Sequence, residues 1–329
     1  MATATQIKEL LKTHGEGNDD RFYAIALQVA AAEARKGHQK LADEIHLLVD
    51  RAKKKRATVG MGEIVHVARP QGEVAELVEQ VFDNRTFTDL VLDSTLAERI
   101  ERITREQKNA EEIKSHGLKP RQKLLFTGPP GCGKTFAASA LANALNIPLF
   151  VIRLDSLITR YLGESLTKLR IIFDAINRTR AIYLFDEFDS IGFTRDTAND
   201  VGEMRRVLNG FLVNIEAIKS DSIVIAATNF GQKLDHALYR RFDDLVVFGL
   251  PGNEEIGRTI QLLFSGVPTE PFSDDQIFEA ARGLSYSEIT RACEEAIKEK
   301  IISGLSLITT EMLVNALTER RLVAPQLTE

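Results

Sequence analysis

Eight consecutive residues carry the most specific chemistry in this chain: Gly128, Pro129, Pro130, Gly131, Cys132, Gly133, Lys134 and Thr135. The spacing G-x-x-x-x-G-K-T suits a polyphosphate. Glycines let the backbone curl until several N–H groups face one point, and the N-terminus of a following helix adds partial positive charge there. Lys134 has the reach to meet the outer phosphates, and the Thr135 hydroxyl is a hard oxygen donor of the kind Mg²⁺ takes. A nucleoside triphosphate is the implied ligand, with residues 128–136, Phe136 included, as its cradle.

Two further segments supply groups that could act on such a ligand. Ala181 to Phe185 is an apolar run ending in Asp186-Glu187-Phe188-Asp189. Asp186 would hold the metal through water, and Glu187 would polarise an attacking water as general base. Ser222 to Thr228 is a second apolar run and ends at Asn229. A neutral amide there can orient water near a terminal phosphate without adding repulsion. Arg240-Arg241-Phe242-Asp243 follows; adjacent arginines beside acids are ordinarily a surface ion cluster, and they can also serve as fingers on transferring phosphoryl groups.

These residues need a scaffold that brings strand ends together. Lys123 to Thr127 has the length and composition of a buried strand, and the alanine-rich stretch from Phe136 to Leu145 favours a helix. Uniformly apolar strands read as buried on both faces, as in open α/β sheets, where ligands bind beyond the carboxyl ends of the strands.

With four motifs in this order, the chain is identified by resemblance as a member of the AAA ATPase family over roughly residues 85–320. The resemblance implies a P-loop NTPase α/β fold with a five-stranded parallel sheet, helices on both faces and a small C-terminal helical lid. It implies ATP with Mg²⁺, and active sites completed between subunits of a homohexamer, with Arg240 or Arg241 acting in trans. Arg205 and Arg206 fall where related proteins present arginines to a neighbour. Tyr161 and Leu162, before Gly163, resemble the pore segment that grips an extended polypeptide, the ring of Tyr161 wedging between substrate side chains. Residues 191–202 would then be a second pore loop. Two departures stand out. The lid segment Gly283-Leu284-Ser285-Tyr286-Ser287 carries no arginine, and the arginine pair lacks the intervening Pro-Gly of many relatives.

The expected domains are a helical adaptor-like region at 1–57, a linker at 58–84, the large ATPase domain at 85–250 and the lid at 251–329. Apolar residues at helical spacing, Phe22, Ile25, Ala26 and Val29 and then Leu41, Ala42, Ile45 and Val49, support short antiparallel helices at the start. Gly60, Gly62, Pro70 and Gly72 support the linker from Thr58 to Glu73, and a helix-rich stretch from Glu73 to Glu101 leads into the ATPase core. Phe87 to Leu96 resembles the segment bordering the adenine pocket.

The formal net charge of −5 over 329 residues gives no nucleic-acid footprint. No apolar run approaches the roughly 20 residues needed to span a bilayer, and no signal-peptide pattern opens the chain. Two cysteines, with no metal-ligand spacing, fit a reducing cytoplasm. The expected function is ATP-driven remodelling or threading of a protein substrate. The alternative is an oligomeric switch that controls a partner without threading. A narrower resemblance, carried by Phe22 to Ala30, is to the ATPase half of bacterial two-gene systems whose second gene encodes a subtilisin-like protease, acting in plasmid maintenance or phage defence.

Overall fold

A computed structural model describes residues 73–157, 164–192, 200–230 and 236–323, together with Ala30. The chain divides into two units, residues 1–65 and 66–329. In the first, Ala30 alone is described, helical and buried. The expected N-terminal helices, the pore residues Tyr161 and Leu162, and most of the second pore loop lie outside the described residues.

The second unit begins with α1 (Glu73–Leu77) and β1 (Val78–Val81), followed by a 3₁₀ turn at Phe87–Asp89, α2 (Ser94–Lys108) and α3 (Ala110–Ser115). The α/β body then runs β2 (Lys123–Thr127), α4 (Lys134–Leu145), β3 (Leu149–Ile152), α5 (Leu154–Leu157), α6 (Glu164–Arg178) and β4 (Ile182–Phe185). It continues through α7 (Asp189–Gly192), α8 (Asp200–Glu216), β5 (Ile223–Thr228), α9 (His236–Tyr239) and β6 (Asp244–Val247). Four helices complete it: α10 (Asn253–Leu263), α11 (Asp274–Ala281), α12 (Tyr286–Ile302) and α13 (Thr310–Val323).

The sheet order is β1-β3-β4-β5-β2-β6. The five implied parallel strands are present, and β1 adds a sixth, antiparallel to β3 with Val78 opposite Ile152. Thus residues 73–81, within the 58–84 linker bounds and at the start of the helix-rich stretch, are a short helix followed by a strand. Leu77 and Val78 are buried, and that burial holds the edge strand in place.

Strand periodicity explains the two-layer core. Leu124, Phe126, Ile182, Leu184, Ile223 and Ile225 face α2 and α4, while Leu125, Tyr183, Phe185, Val224 and Ala226 face α6 and α8. Every residue of β4 and β5 is therefore apolar or buried. On the second face, Phe211 of α8 lies 5.6 Å from Phe173, 5.0 Å from Phe185 and 4.7 Å from Phe188, centroid to centroid. Such aromatic pairs contribute about 0.5–1.5 kcal/mol each beyond area burial. Because α4 buries Ala137, Ala138, Ala140 and Ala142, it sits close to the sheet.

Helices α10–α13 gather a separate core around Ile260, Phe264, Ile277, Ile289, Cys293 and Leu317. Helix α12 starts at an N-cap, Ser285, whose hydroxyl accepts from the Glu288 N–H at 3.3 Å.

Candidate functional site

Register sets the site. Strand β5 lies between β4 and β2, with Phe126 opposite Ala227, and Phe185 opposite Ala226. The segments leaving these three strands therefore emerge side by side: the glycine loop after β2, Asp186 after β4 and Asn229 after β5. They open on a cleft of about 630 Å³, to which Pro130, Gly131, Gly133, Lys134, Thr135, Phe136, Asp186, Glu187 and Asn229 all contribute.

The loop curls through Gly128, Gly131 and Gly133, at φ of 145°, 73° and 92°. At Gly128 a Cβ would lie 2.1 Å from the Phe248 carbonyl oxygen, so only glycine fits. Helix α4 begins at Lys134, directing its free N–H groups into the cleft. Cys132 is buried in the loop, and its thiol is pushed up by burial.

Lys134 is 7% exposed, and its ammonium donates to the Gly128 and Pro129 carbonyls at 2.7 and 2.8 Å and to Asn229 Oδ1 at 2.8 Å. Its three N–H donors are thereby matched by three acceptors. Burial pushes Lys134 below the ordinary lysine range, opposed by Cys132, Asp186 and Asp189. Thr135 Oγ1 donates to Asp186 Oδ2 at 2.6 Å. The Asp186 carboxylate thus stands beside the Thr135 hydroxyl, where it could hold through water an Mg²⁺ taken by that hydroxyl.

Glu187 is exposed to the cleft and has the left-handed φ of 49°, uncommon for a residue with a side chain. Its cause is visible on either side. The Glu187 N–H donates to Asp186 Oδ1 at 2.9 Å, and the fully buried Phe188 N–H donates to the Ala227 carbonyl at 2.8 Å. Phe188 is thus pinned into the aromatic core while the preceding carboxylate is turned out into the cleft. Asp189 Oδ1 accepts from the Asn229 N–H at 3.3 Å, tying the ends of β4 and β5 together.

The opposite wall comes from remote segments. Arg85, Asp89, Leu90 and Val91 line one side, and Thr259, Leu262, Leu263, Tyr286, Ser287 and Thr290 of the helical lid line the other. The Arg85 guanidinium sits 4.8 Å over the Phe136 ring. Ser287 N–H donates to the Gly131 carbonyl at 3.1 Å, and Arg258 donates to the Leu92 carbonyl at 3.2 Å. Burial pushes the Tyr286 phenol well above its usual range, and the Glu255 and Asp93 carboxylates push it further the same way.

Arg240 and Arg241 are not among the groups lining this cleft. Arg240 is exposed; Arg241 is half-buried and ion-paired with Glu216, at the end of α8. Arg206 is exposed on α8. Sequence reading missed Asp189 as a strand tie, Phe188 as an anchor and Tyr286 as part of the wall. For Asp189 and Phe188 the signal was present, since both belong to the acidic motif. For Tyr286 it was not, because only the fold carries α12 to the loop.

Comparison with known proteins bears on this geometry. The profile of the ATPase family associated with various cellular activities (AAA) matches residues 124–250, the segment holding all three strand ends. An uncharacterized AAA family ATPase, y4kL, of Sinorhizobium fredii is 36% identical across 92% of this chain and 90% of that protein. A putative 26S proteasome regulatory subunit homolog of Methanothermobacter marburgensis is 30% identical across 61% of this chain and 55% of that protein. The ATP-dependent zinc metalloprotease FtsH of Metamycoplasma arthritidis is 28% identical across 73% of this chain and 34% of that protein. With one relative aligned across nine-tenths of both chains and the family profile lying over the strands that carry the site, this chain belongs to the AAA family of ATPases and hydrolyses ATP.

Proposed function

We propose that the cleft binds ATP with Mg²⁺ and that its hydrolysis drives remodelling of a protein substrate by a ring of identical subunits, six by family resemblance. One observation carries the reading: Lys134, the Thr135–Asp186 pair, Glu187 and Asn229 converge on one cleft from three adjacent strand ends. In it, Lys134 exchanges loop carbonyls for phosphate oxygens, and Asn229, its present partner, follows the terminal phosphate. Thr135 and Asp186 hold the metal, whose charge, when bound, stabilises the phosphoryl oxygens in the transition state. Glu187 takes the proton of the attacking water, and its turned-out backbone keeps the carboxylate free of the core. Arg240 or Arg241 completes the site of an adjacent subunit.

Tyr161 and Leu162 grip the polypeptide in this reading. Support for a protein substrate comes from relatives named for proteasome regulation and for ATP-dependent proteolysis. The finer proposal, a separately encoded subtilisin-like protease as partner in bacterial defence or plasmid maintenance, rests on the Phe22 to Ala30 segment alone. No helix among the described residues is long and apolar enough to cross a membrane. Both cysteines are free and buried, which agrees with action in a reducing cytoplasm.

Tyr161→Ala tests the coupling. ATP turnover should persist while unfolding of a tagged substrate is lost. Unimpaired unfolding would remove Tyr161 from the mechanism. If ATP-loaded Glu187→Gln protein alone produced the full biological output, an oligomeric switch would replace threading.

A further inference from the structure

We propose that Arg85 is a nucleotide-binding residue, held by its own subunit beside the first turn of α4 to take the α-phosphate. The proposal rests on the reading that the cleft binds ATP, and it assigns a group that lies outside every phosphate-binding motif in the chain.

One face of α4 holds the segment that carries Arg85. Phe136, Ser139 and Asn143 stand at i, i+3 and i+7, so they line the same side of the helix. Ser139, 4% exposed, donates its hydroxyl to Asp83 Oδ2 at 3.0 Å. Asn143 Nδ2 donates to the Asp83 and Arg85 carbonyls at 2.7 and 2.5 Å. Asp83 Oδ1 accepts from the Arg85 N–H at 3.1 Å, closing a side-chain turn. The other carboxylate oxygen lies 3.1 Å from Arg85 Nε. The guanidinium is thereby placed 4.8 Å over the Phe136 ring, on the wall of the cleft. An aromatic face holds a cation electrostatically and takes up no N–H donor. Neither Nη1 nor Nη2 has a hydrogen bond or ion pair among the described residues, so the outer edge of the fork is left to a ligand.

Position decides which part of the nucleotide this edge meets. Lys134 and the Thr135–Asp186 pair gather at the outer-phosphate end. Leu90 and Val91 give the apolar wall suited to a base. Arg85 enters beside Phe136, the residue directly after Thr135, and on the chain segment that leads to that wall. Between the outer phosphates and the base lie the α-phosphate and the ribose. Of these, the α-phosphate has the charge and the paired oxygens that match a guanidinium fork.

The test uses full-length Arg85→Ala and Arg85→Lys. Calorimetric titration measures ATP, ADP, adenosine and the two diastereomers of ATPαS, in which sulfur replaces one non-bridging α-oxygen. Arg85→Ala should weaken ATP and ADP alike by about 10- to 100-fold and adenosine by less than about threefold. It should also narrow the gap in affinity between the two ATPαS diastereomers. In steady-state turnover the loss should fall on KM, because charge builds at the transferring γ-phosphoryl and not at the α-phosphate. Arg85→Lys should regain only part of the affinity, since an ammonium lacks the fork. Binding of ATP and ADP by Arg85→Ala within about threefold of wild type overturns the assignment. A loss confined to ATP also overturns it, by moving the guanidinium to the γ-phosphate. An equal loss for adenosine does so too, by making Arg85 a support of the base pocket. Wild-type protein that binds no ATP overturns the underlying reading of the cleft, a result distinct from all of these.

Discussion

The two ends of the cleft are built on different principles. At the phosphate end, directed polar bonds interlock: Lys134 to two carbonyls and Asn229, Thr135 to Asp186, Asp189 to the Asn229 backbone. Three of its glycines take φ values that side chains rarely adopt. At the lid end Leu262, Leu263, Tyr286, Leu90 and Val91 give the walls an apolar surface among polar neighbours such as Arg85, Asp89 and Thr290, and the bonds to the body are fewer, Ser287 to the Gly131 carbonyl and Arg258 to the Leu92 carbonyl. Directed bonds fail when one atom moves, whereas apolar contact degrades gradually. The chemistry therefore sits where geometry is rigid, and the lid is left able to adjust.

Paired glycine substitutions should expose that contrast most strongly. Gly128→Ala places a methyl against the Phe248 carbonyl at a φ of 145°. It should destabilise by at least about 3 kcal/mol in denaturant titration and abolish ATP binding. Gly266→Ala in the lid, also at positive φ but with nothing within 4 Å, should cost only about 1–2 kcal/mol and leave ATP turnover intact. Equal effects would erase the distinction.

Anchoring of the acidic turn comes next in size. Phe188→Ala should lose about 3–5 kcal/mol as a large-to-small core substitution. ATP turnover should fall with it, because the buried ring holds Glu187 in its left-handed conformation. At the lid end, Tyr286→Ala should weaken ATP binding by about tenfold, roughly 1.4 kcal/mol, with kcat nearly unchanged, since the wall contacts substrate and transition state alike. A large fall in kcat instead would give the lid a chemical role.

The smallest effect concerns the lid's own core. Burial pushes the Cys293 thiol up to about 12. Folded protein at pH 8 should therefore resist alkylation at Cys293, and unfolding should release the reactivity. Because the folded thiol stays neutral while the unfolded one ionises nearer its ordinary 9.0, stability should decline as pH rises from about 9 toward 12. Rapid labelling of native protein would show the lid core to be open.

Legibility followed the same division. Asp186 and Asn229 stand directly after apolar strands, and Lys134 and Thr135 close the glycine loop that follows a third, so local pattern and sheet topology were enough to bring them together. Glu187 was readable as a carboxylate at the site, but not its backbone conformation, which depends on Phe188 meeting Phe211 across the core. The antiparallel strand β1 was not legible because four residues, two of them charged or amide, carry little periodicity. Tyr286 and Arg85 reach the cleft only through tertiary structure, about 150 residues downstream of the loop and about 45 upstream of it, and no spacing rule connects them. The adjacent arginines looked alike in sequence; Glu216 distinguishes them from a helix 25 residues earlier.

ATP turnover per subunit measured against protein concentration, for wild type and Glu187→Gln, with mass determined in parallel with and without ATP, tests the central claim most directly. The wild-type rate should rise as subunits assemble, and the variant should form the same ATP-bound oligomer while hydrolysis falls by about 10²–10⁴. A rate independent of concentration, from a protein that remains a monomer with ATP bound, would contradict it.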